Sequence, residues 1–281
     1  MEIFGRRPRR ARIRTDAGTS RSGGASVADS LIDCAFATAI GTRPENQDRC
    51  AISKRWIVLS DGAGGHAGGA LAAEVTVEAV VACLTASADP PAAPLLEEAV
   101  WRANDAVRSR RLTDPAVAQM AATLTVAIAV SAIEDESEWL VTSIGDSRAW
   151  HVTPECPVQL TEDDNVAAQL VKTGAITPTE ALAHPGRHWI TRAIGPEDRV
   201  APGVTSVRMQ GGDALLIASD GLDVLSPAAI HDVIAGSASA DDAVEQLVEA
   251  ALRAGTLDNV TAAVIRHVPS ACHRLGDEPA A

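Results

Sequence analysis

Aromatic side chains are scarce in this chain: there is no tyrosine, and only two phenylalanines and five tryptophans occur in 281 residues. Hydrophobic residues still make up 46 %, so a sizeable core is expected, built mainly from Val, Ile, Leu and Ala. Basic residues are also in deficit, 24 Lys and Arg against 37 Asp and Glu, for a net charge of −13. That balance argues against nucleic acid or an anionic membrane as the main partner, and it is compatible with a carboxylate-rich site that needs divalent cations. The five cysteines (Cys34, Cys50, Cys83, Cys156 and Cys272) are odd in number and include no CxxC pair. They read as reduced thiols of a cytoplasmic protein rather than a disulfide framework or a zinc site. No apolar run approaches the roughly 20 residues of a membrane helix, so no span is expected. No apolar segment follows the N-terminal arginines, so no signal peptide is expected. The sequence has no internal repeat.

What the chain does contain falls into three parts. Residues 1–30 carry seven arginines against three acids, a net +4, which leaves −17 for the remainder. This part is expected to be a disordered basic arm. Residues 31–268 are patterned as one globular domain, and 269–281 as a flexible tail. Within the domain, strands are expected at 33–40, 49–60, 123–130, 139–143, 148–152, 204–209, 214–218 and 260–268. Helices are expected at 69–85, 93–111, 165–173, 178–183, 227–235 and 241–254, with Asp241-Asp242 as an N-cap. Strands come in blocks and helices in blocks, which predicts an α+β fold.

The chemistry concentrates where apolar strands end. Trp56–Leu59 runs into Ser60-Asp61, and then Gly62, Gly64, Gly65, Gly68 and Gly69 follow around His66. Glycine permits positive φ and close backbone approach, so Asp61 is placed to hold a cation with the Gly62 carbonyl beside it, or more simply to cap the next helix. Asp146, Asp220 and Asp258 repeat the setting of an acid beside Gly or Asn at a strand end. A single such acid is an ordinary turn. Four of them can converge at one end of a sheet structure, where divalent ions would offset their repulsion. An all-oxygen set selects Mg²⁺ or Mn²⁺. His184 and His188 have a metal-like spacing, but Pro185 and Gly186 between them prevent a helix from aligning them.

Taken in order, the motifs from about 33 to 268 resemble the metal-dependent serine/threonine protein phosphatases of the PPM, or PP2C-like, class in their bacterial form. Arg43-Pro-Glu-Asn46-Gln47-Asp48 resembles RxxNxD, and Asp61-Gly62-Ala-Gly-Gly-His66 resembles DGxGGH. Thr123-Leu124-Thr125, Gly145-Asp146-Ser147-Arg148, Leu160-Thr161 and Ile190–Gly195 follow. Ser219-Asp220-Gly221-Leu222 and Asp258-Asn259-Val260-Thr261 complete the set. The resemblance implies a central antiparallel β-sandwich with helices on both outer faces. It implies Mn²⁺ or Mg²⁺, two ions and in some arrangements three, held by Asp48, Asp61, the Gly62 carbonyl, Asp220 and Asp258, with Asp146 and Asp223 for the third. Arg43 would grip the phosphate, and His66 would protonate the leaving alkoxide. The implied reaction is hydrolysis of phosphoserine and phosphothreonine by metal-activated water. Its partners would be phosphorylated proteins and a cognate Ser/Thr kinase or its substrates, and a monomer is expected. A non-enzymatic phosphoprotein binder and a phosphatase for small phosphoesters are the competing readings.

Three positions depart from the family pattern. Gln47 stands where many members have Glu. Asp223 comes one residue early after Asp220, and Asp164-Asn165 replaces a His-Ser pair. Arg192 is expected to be structural, and Trp139 and Trp150 to belong to a hairpin core or edge.

Overall fold

A computed structural model describes residues 32–63, 68–87, 93–133 and 136–268. The expected arm, the expected tail and His66 lie outside the described residues.

The chain first lays down β1 (Ile32–Ala39), β2 (Arg49–Ser53) and β3 (Trp56–Ser60). The short β4 (Gly62–Ala63) leads into α1 (Gly68–Ala86) and α2 (Ala93–Thr113). A run of strands follows: β5 (Ala121–Ala122), β6 (Leu124–Ile133), β7 (Glu136–Ile144), β8 (Arg148–Val152) and β9 (Pro157–Gln159). Two short helices, α3 (Val166–Lys172) and α4 (Pro178–Ala181), interrupt the strands before β10 (Gly203–Gln210) and β11 (Ala214–Ala218). The chain closes with α5 (Pro227–Gly236), α6 (Ala240–Arg253) and β12 (Val260–His267).

Two five-stranded antiparallel sheets result, ordered β1-β12-β11-β8-β9 and β10-β7-β6-β3-β2. The period-2 alternation of side chains explains why their inner strands read as unbroken apolar runs. In β3, Ile57 and Leu59 face the opposing sheet while Val58 faces the helices. In β11, Leu215 and Ile217 point into the sandwich while Leu216 packs under α5 and α6. Trp139 lies fully buried between the sheets, its indole nitrogen donating to Ser137 Oγ. The layers are therefore α-β-β-α, with α1 and α2 on one face and α5 and α6 on the other.

Two sequence expectations are corrected. α1 is 19 residues long with mean hydropathy 1.6, so by length and composition an apolar segment does reach membrane-helix size. Here Ala72, Ala73, Val77 and Val80 pack against α2 and the sheet, so it serves as a core helix of the domain. The N-cap of α6 is Ser239, whose Oγ accepts from Asp242 N; Asp241 and Asp242 occupy the first turn, where their charge suits the helix dipole.

Candidate metal centre

One end of the sandwich gathers the loop from β1 to β2, the end of β3, the β7–β8 turn, the end of β11 and the loop before β12. Each carries one of the acids picked out in the sequence. Asn259 stitches two of these segments together. Its Oδ1 accepts from Gln47 N at 2.9 Å, and its Nδ2 donates to Ile40 O and Glu45 O. Asn46 holds the turn from within, since its Oδ1 accepts from Asp48 N and its Nδ2 donates to Thr38 Oγ1. Gly221 is required by close approach: a Cβ there would lie 2.0 Å from Asn259 O.

Asp48 is buried, and its Oδ2 accepts from Ser219 Oγ at 2.8 Å and from Thr261 Oγ1 at 2.7 Å. These contacts join β2, β11 and β12 across the two sheets. Asp61 is fixed through its backbone by Thr123, which accepts from Asp61 N through Oγ1 and donates its own N–H to Asp61 O, both at 2.8 Å. Thr123 Oγ1 also bonds Ser147 Oγ, which ties Asp61 to the turn that carries Asp146. Gly62 and Gly69 touch so closely that a Cβ on Gly62 would fall 2.1 Å from Gly69 O. The Gly62 carbonyl and the Gln47 amide oxygen both lie against Gly69.

The acids repel one another. Burial, then the charge of Asp220, pushes the Asp48 carboxyl up to about 6 despite the donors from Thr261 and Ser219. Burial, with Asp48, Asp220, Asp146 and Asp258 around it, holds Asp61 well above the usual carboxylate range. Asp146 is pushed up to about 8 by burial and by Asp220 and Asp163. Asp220 is raised by burial and Asp258, against the opposing pull of His188, Arg43 and Arg148. Arg43 Nη2 bonds Asp258 Oδ2, and the rest of the guanidinium faces solvent. Five carboxylates from distant parts of the chain thus share one pocket.

Does this pocket suit hard cations? Asp48 Oδ1 and Asp220 Oδ1 are buried and have no hydrogen-bond partner among the described residues. Such orphaned acceptors are costly unless something neutralises them. No three His, Cys, Asp or Glu side chains among the described residues converge at metal-ligand spacing. The fit therefore rests on donor chemistry: clustered carboxylate oxygens, two of them unsatisfied, with mutual repulsion that a divalent ion would relieve.

The remaining predicted positions divide. Asp223 Oδ1 is held by Arg148 Nη1 at 2.8 Å. His184 Nδ1 accepts from Gly186 N and so caps a local turn, whereas His188 Nδ1 comes within 3.8 Å of Asp220 Oδ2. Arg192 is structural: it binds Asp164 Oδ2, Ala201 O and Ser143 O. Ser147, Ser219 and Thr261 stand in the sequence motifs, but the role of their hydroxyls as a frame emerges only from the structure. Its signal was present in the sequence as polar residues embedded at the ends of apolar strands.

Residues 38–261 match the family described as Protein phosphatase 2C. The chain belongs to the protein phosphatase 2C family. It is 34 % identical over 215 residues to Protein phosphatase PhpP of Streptococcus pneumoniae, covering 74 % of this chain and 84 % of that one. It is equally 34 % identical over 226 residues to Serine/threonine protein phosphatase PstP of Mycobacterium tuberculosis, but spans only 42 % of that protein. A crystal structure of the M. tuberculosis PstP phosphatase superimposes with a TM-score of 0.76 at 31 % identity, over 85 % of this chain and 99 % of that one. The PstP catalytic domain in complex with two manganese ions gives 0.75 at 30 % identity, over 84 % of this chain and 98 % of that one. The α-β-β-α architecture expected from the sequence is the one these relatives share.

Proposed function

We propose that this member of the protein phosphatase 2C family removes phosphate from phosphoserine and phosphothreonine in proteins, reversing a Ser/Thr kinase in bacterial signalling. The observation that carries this reading is the convergence of Asp48, Asp61, Asp146, Asp220 and Asp258 at one sandwich end, in a chain similar to named serine/threonine phosphatases. Asp48, Asp61, the Gly62 carbonyl, Asp220 and Asp258 would hold two Mn²⁺ or Mg²⁺ ions, as the PstP structure with two manganese ions supports. When bound, such ions supply a water nucleophile that is active at neutral pH.

The chain's own residues do the rest. Arg43 is exposed at the rim, and its planar fork suits phosphate oxygens. Ser219 and Thr261 keep Asp48 Oδ2 in one orientation, leaving Oδ1 for the cation. Thr123 locks the Asp61 backbone, so the Asp61 carboxylate is positioned at little entropic cost. His66 is the proposed donor to the leaving alkoxide. A reducing cytoplasm suits Cys34, Cys50, Cys83 and Cys156, none of which is in a disulfide, and the working unit is proposed to be a monomer.

The test is phosphate release from matched phosphothreonine, phosphoserine and phosphotyrosine peptides with Mn²⁺. Turnover of the first two well above the third is expected. No release from any phosphopeptide, with a small phosphoester still hydrolysed, would move the protein to small-molecule substrates.

A further inference from the structure

Exposed apolar side chains are ordinary when they are scattered singly. Ile40 and Leu257 are not scattered. Leu257 is 72 % exposed and Ile40 44 %, and neither joins a core among the described residues. Leu257 immediately precedes Asp258, and Ile40 stands shortly before Arg43 in the loop from β1 to β2. Pro44, also exposed, follows Arg43 in the same loop. An apolar shelf thus lies beside the guanidinium proposed to receive phosphate.

The two loops that make the shelf are fastened to each other. Thr42 Oγ1 donates to Leu257 O at 2.7 Å, and Asn259 Nδ2 donates to Ile40 O at 2.9 Å. Arg43 N donates to Ile40 O and closes the turn, while Arg43 Nη2 bonds Asp258 Oδ2. Gly41 has a φ of 60° and packs so tightly that a Cβ there would fall 2.0 Å from Asp258 O. Ile40 and Leu257 are therefore displayed on backbone that is already ordered. Covering them with a ligand costs little further loop ordering, which favours binding.

Reach decides the occupant. An extended peptide advances about 3.3 Å per residue, close to the spacing of Leu257 from its neighbour Asp258. A substrate whose phosphate rests on Arg43 brings the residues within about three positions of its phosphothreonine to the shelf. An aliphatic side chain arriving there removes apolar surface from water on both partners. The shelf is continuous with the proposed phosphate site, so the substrate's own flanking sequence is the partner it fits.

We propose that Ile40 and Leu257 form an apolar subsite that selects phosphoproteins with a large aliphatic residue close to the phosphothreonine. The proposal rests on the phosphatase reading above.

The test uses alanine-based phosphothreonine peptides with Mn²⁺, in which Leu, Lys or Ser is placed in turn at each flanking position. kcat/KM is measured for the natural chain, Leu257→Ser, Ile40→Ser and Trp189→Ser, the last altering an exposed tryptophan beside His188. In the natural chain the best leucine peptide is expected to exceed its serine counterpart by about tenfold, the discrimination of one covered apolar group. Leu257→Ser and Ile40→Ser are each expected to cut that ratio below about threefold, and Trp189→Ser to preserve it. Taking the ratio within each variant cancels any general change in turnover. Phosphate release with no leucine preference, or with a preference led by lysine, would overturn the proposal alone, and neither outcome needs a variant to fold. A full ratio in folded Leu257→Ser and Ile40→Ser, or a ratio lost only in Trp189→Ser, would overturn it as well. So would a dimer of the natural chain in sedimentation equilibrium that Leu257→Ser dissolves, which would assign the shelf to a second copy. No release from any phosphopeptide would refute the phosphatase reading, and this proposal with it.

Discussion

Arg43 Nη2 lies 2.5 Å from Asp258 Oδ2, so the guanidinium proposed to receive the phosphate rests on a proposed metal ligand. The contact raises the Arg43 pKa through its bond to Asp258, so the fork stays charged at any working pH. Substrate binding and cation binding are therefore linked through one pair of residues.

Arg43→Ala is expected to raise KM for a phosphothreonine peptide by about 10–100-fold, the value of a charge-assisted hydrogen bond, with kcat within about threefold. Phosphate is held in the ground state and the transition state alike, so the loss is uniform. Steady-state kinetics decides the point. A collapse of kcat at unchanged KM would place Arg43 in transition-state stabilisation.

Asp61→Ala and Asp258→Ala are each expected to lower kcat by at least about 10²-fold, since a lost ligand removes the activated water. Circular dichroism should be unchanged, because both carboxylates point into a repulsive cluster rather than a packed core. Near-normal turnover in either folded variant would mean the ligand set is wrong.

Thr261→Val keeps the shape of a buried β12 residue but removes one of the two hydroxyls on Asp48 Oδ2. A stability loss of about 1–3 kcal/mol in the metal-free protein is expected from urea unfolding. The Mn²⁺ concentration for half-maximal activity should also rise. An unchanged urea midpoint would show that Asp48 is oriented by something else.

Much of this frame could be read from the residues. The apolar runs of β3, β11 and β12 fixed which strands are buried on both faces, and the acids at their ends marked the site. The Asp48 clamp could not be read in the same way, because Ser219 and Thr261 are 42 positions apart and meet only once β11 pairs with β12. Asp223 shows the other limit. Its early position in sequence signalled a departure, but the partner that claims it, Arg148, is set by the β8–β11 pairing. α1 marks where composition stops discriminating, since a helix buried between α2 and a sheet needs the same apolar content as a membrane span.

The raised carboxyls give the metal-free protein a distinctive pH response. A carboxyl whose folded pKa lies above its unfolded value holds its proton more tightly when folded. Its stabilising contribution is full below the unfolded value near 3.8, and is lost as pH rises through about 6 for Asp48 and about 8 for Asp146. For Asp48 alone the loss is on the order of 3 kcal/mol. The Tm of EDTA-treated protein should fall between roughly pH 5 and pH 8, the window set by these two groups, and Mn²⁺ should restore it most at the alkaline end. A Tm that rises over this window would contradict the repulsive cluster.

The most direct measurement is phosphate release from a phosphothreonine peptide by protein stripped with EDTA, gel-filtered and then titrated with Mn²⁺. The account predicts negligible turnover in the stripped sample, full recovery on adding Mn²⁺, and insensitivity to okadaic acid. Full activity in a sample shown by elemental analysis to be free of metal would contradict it.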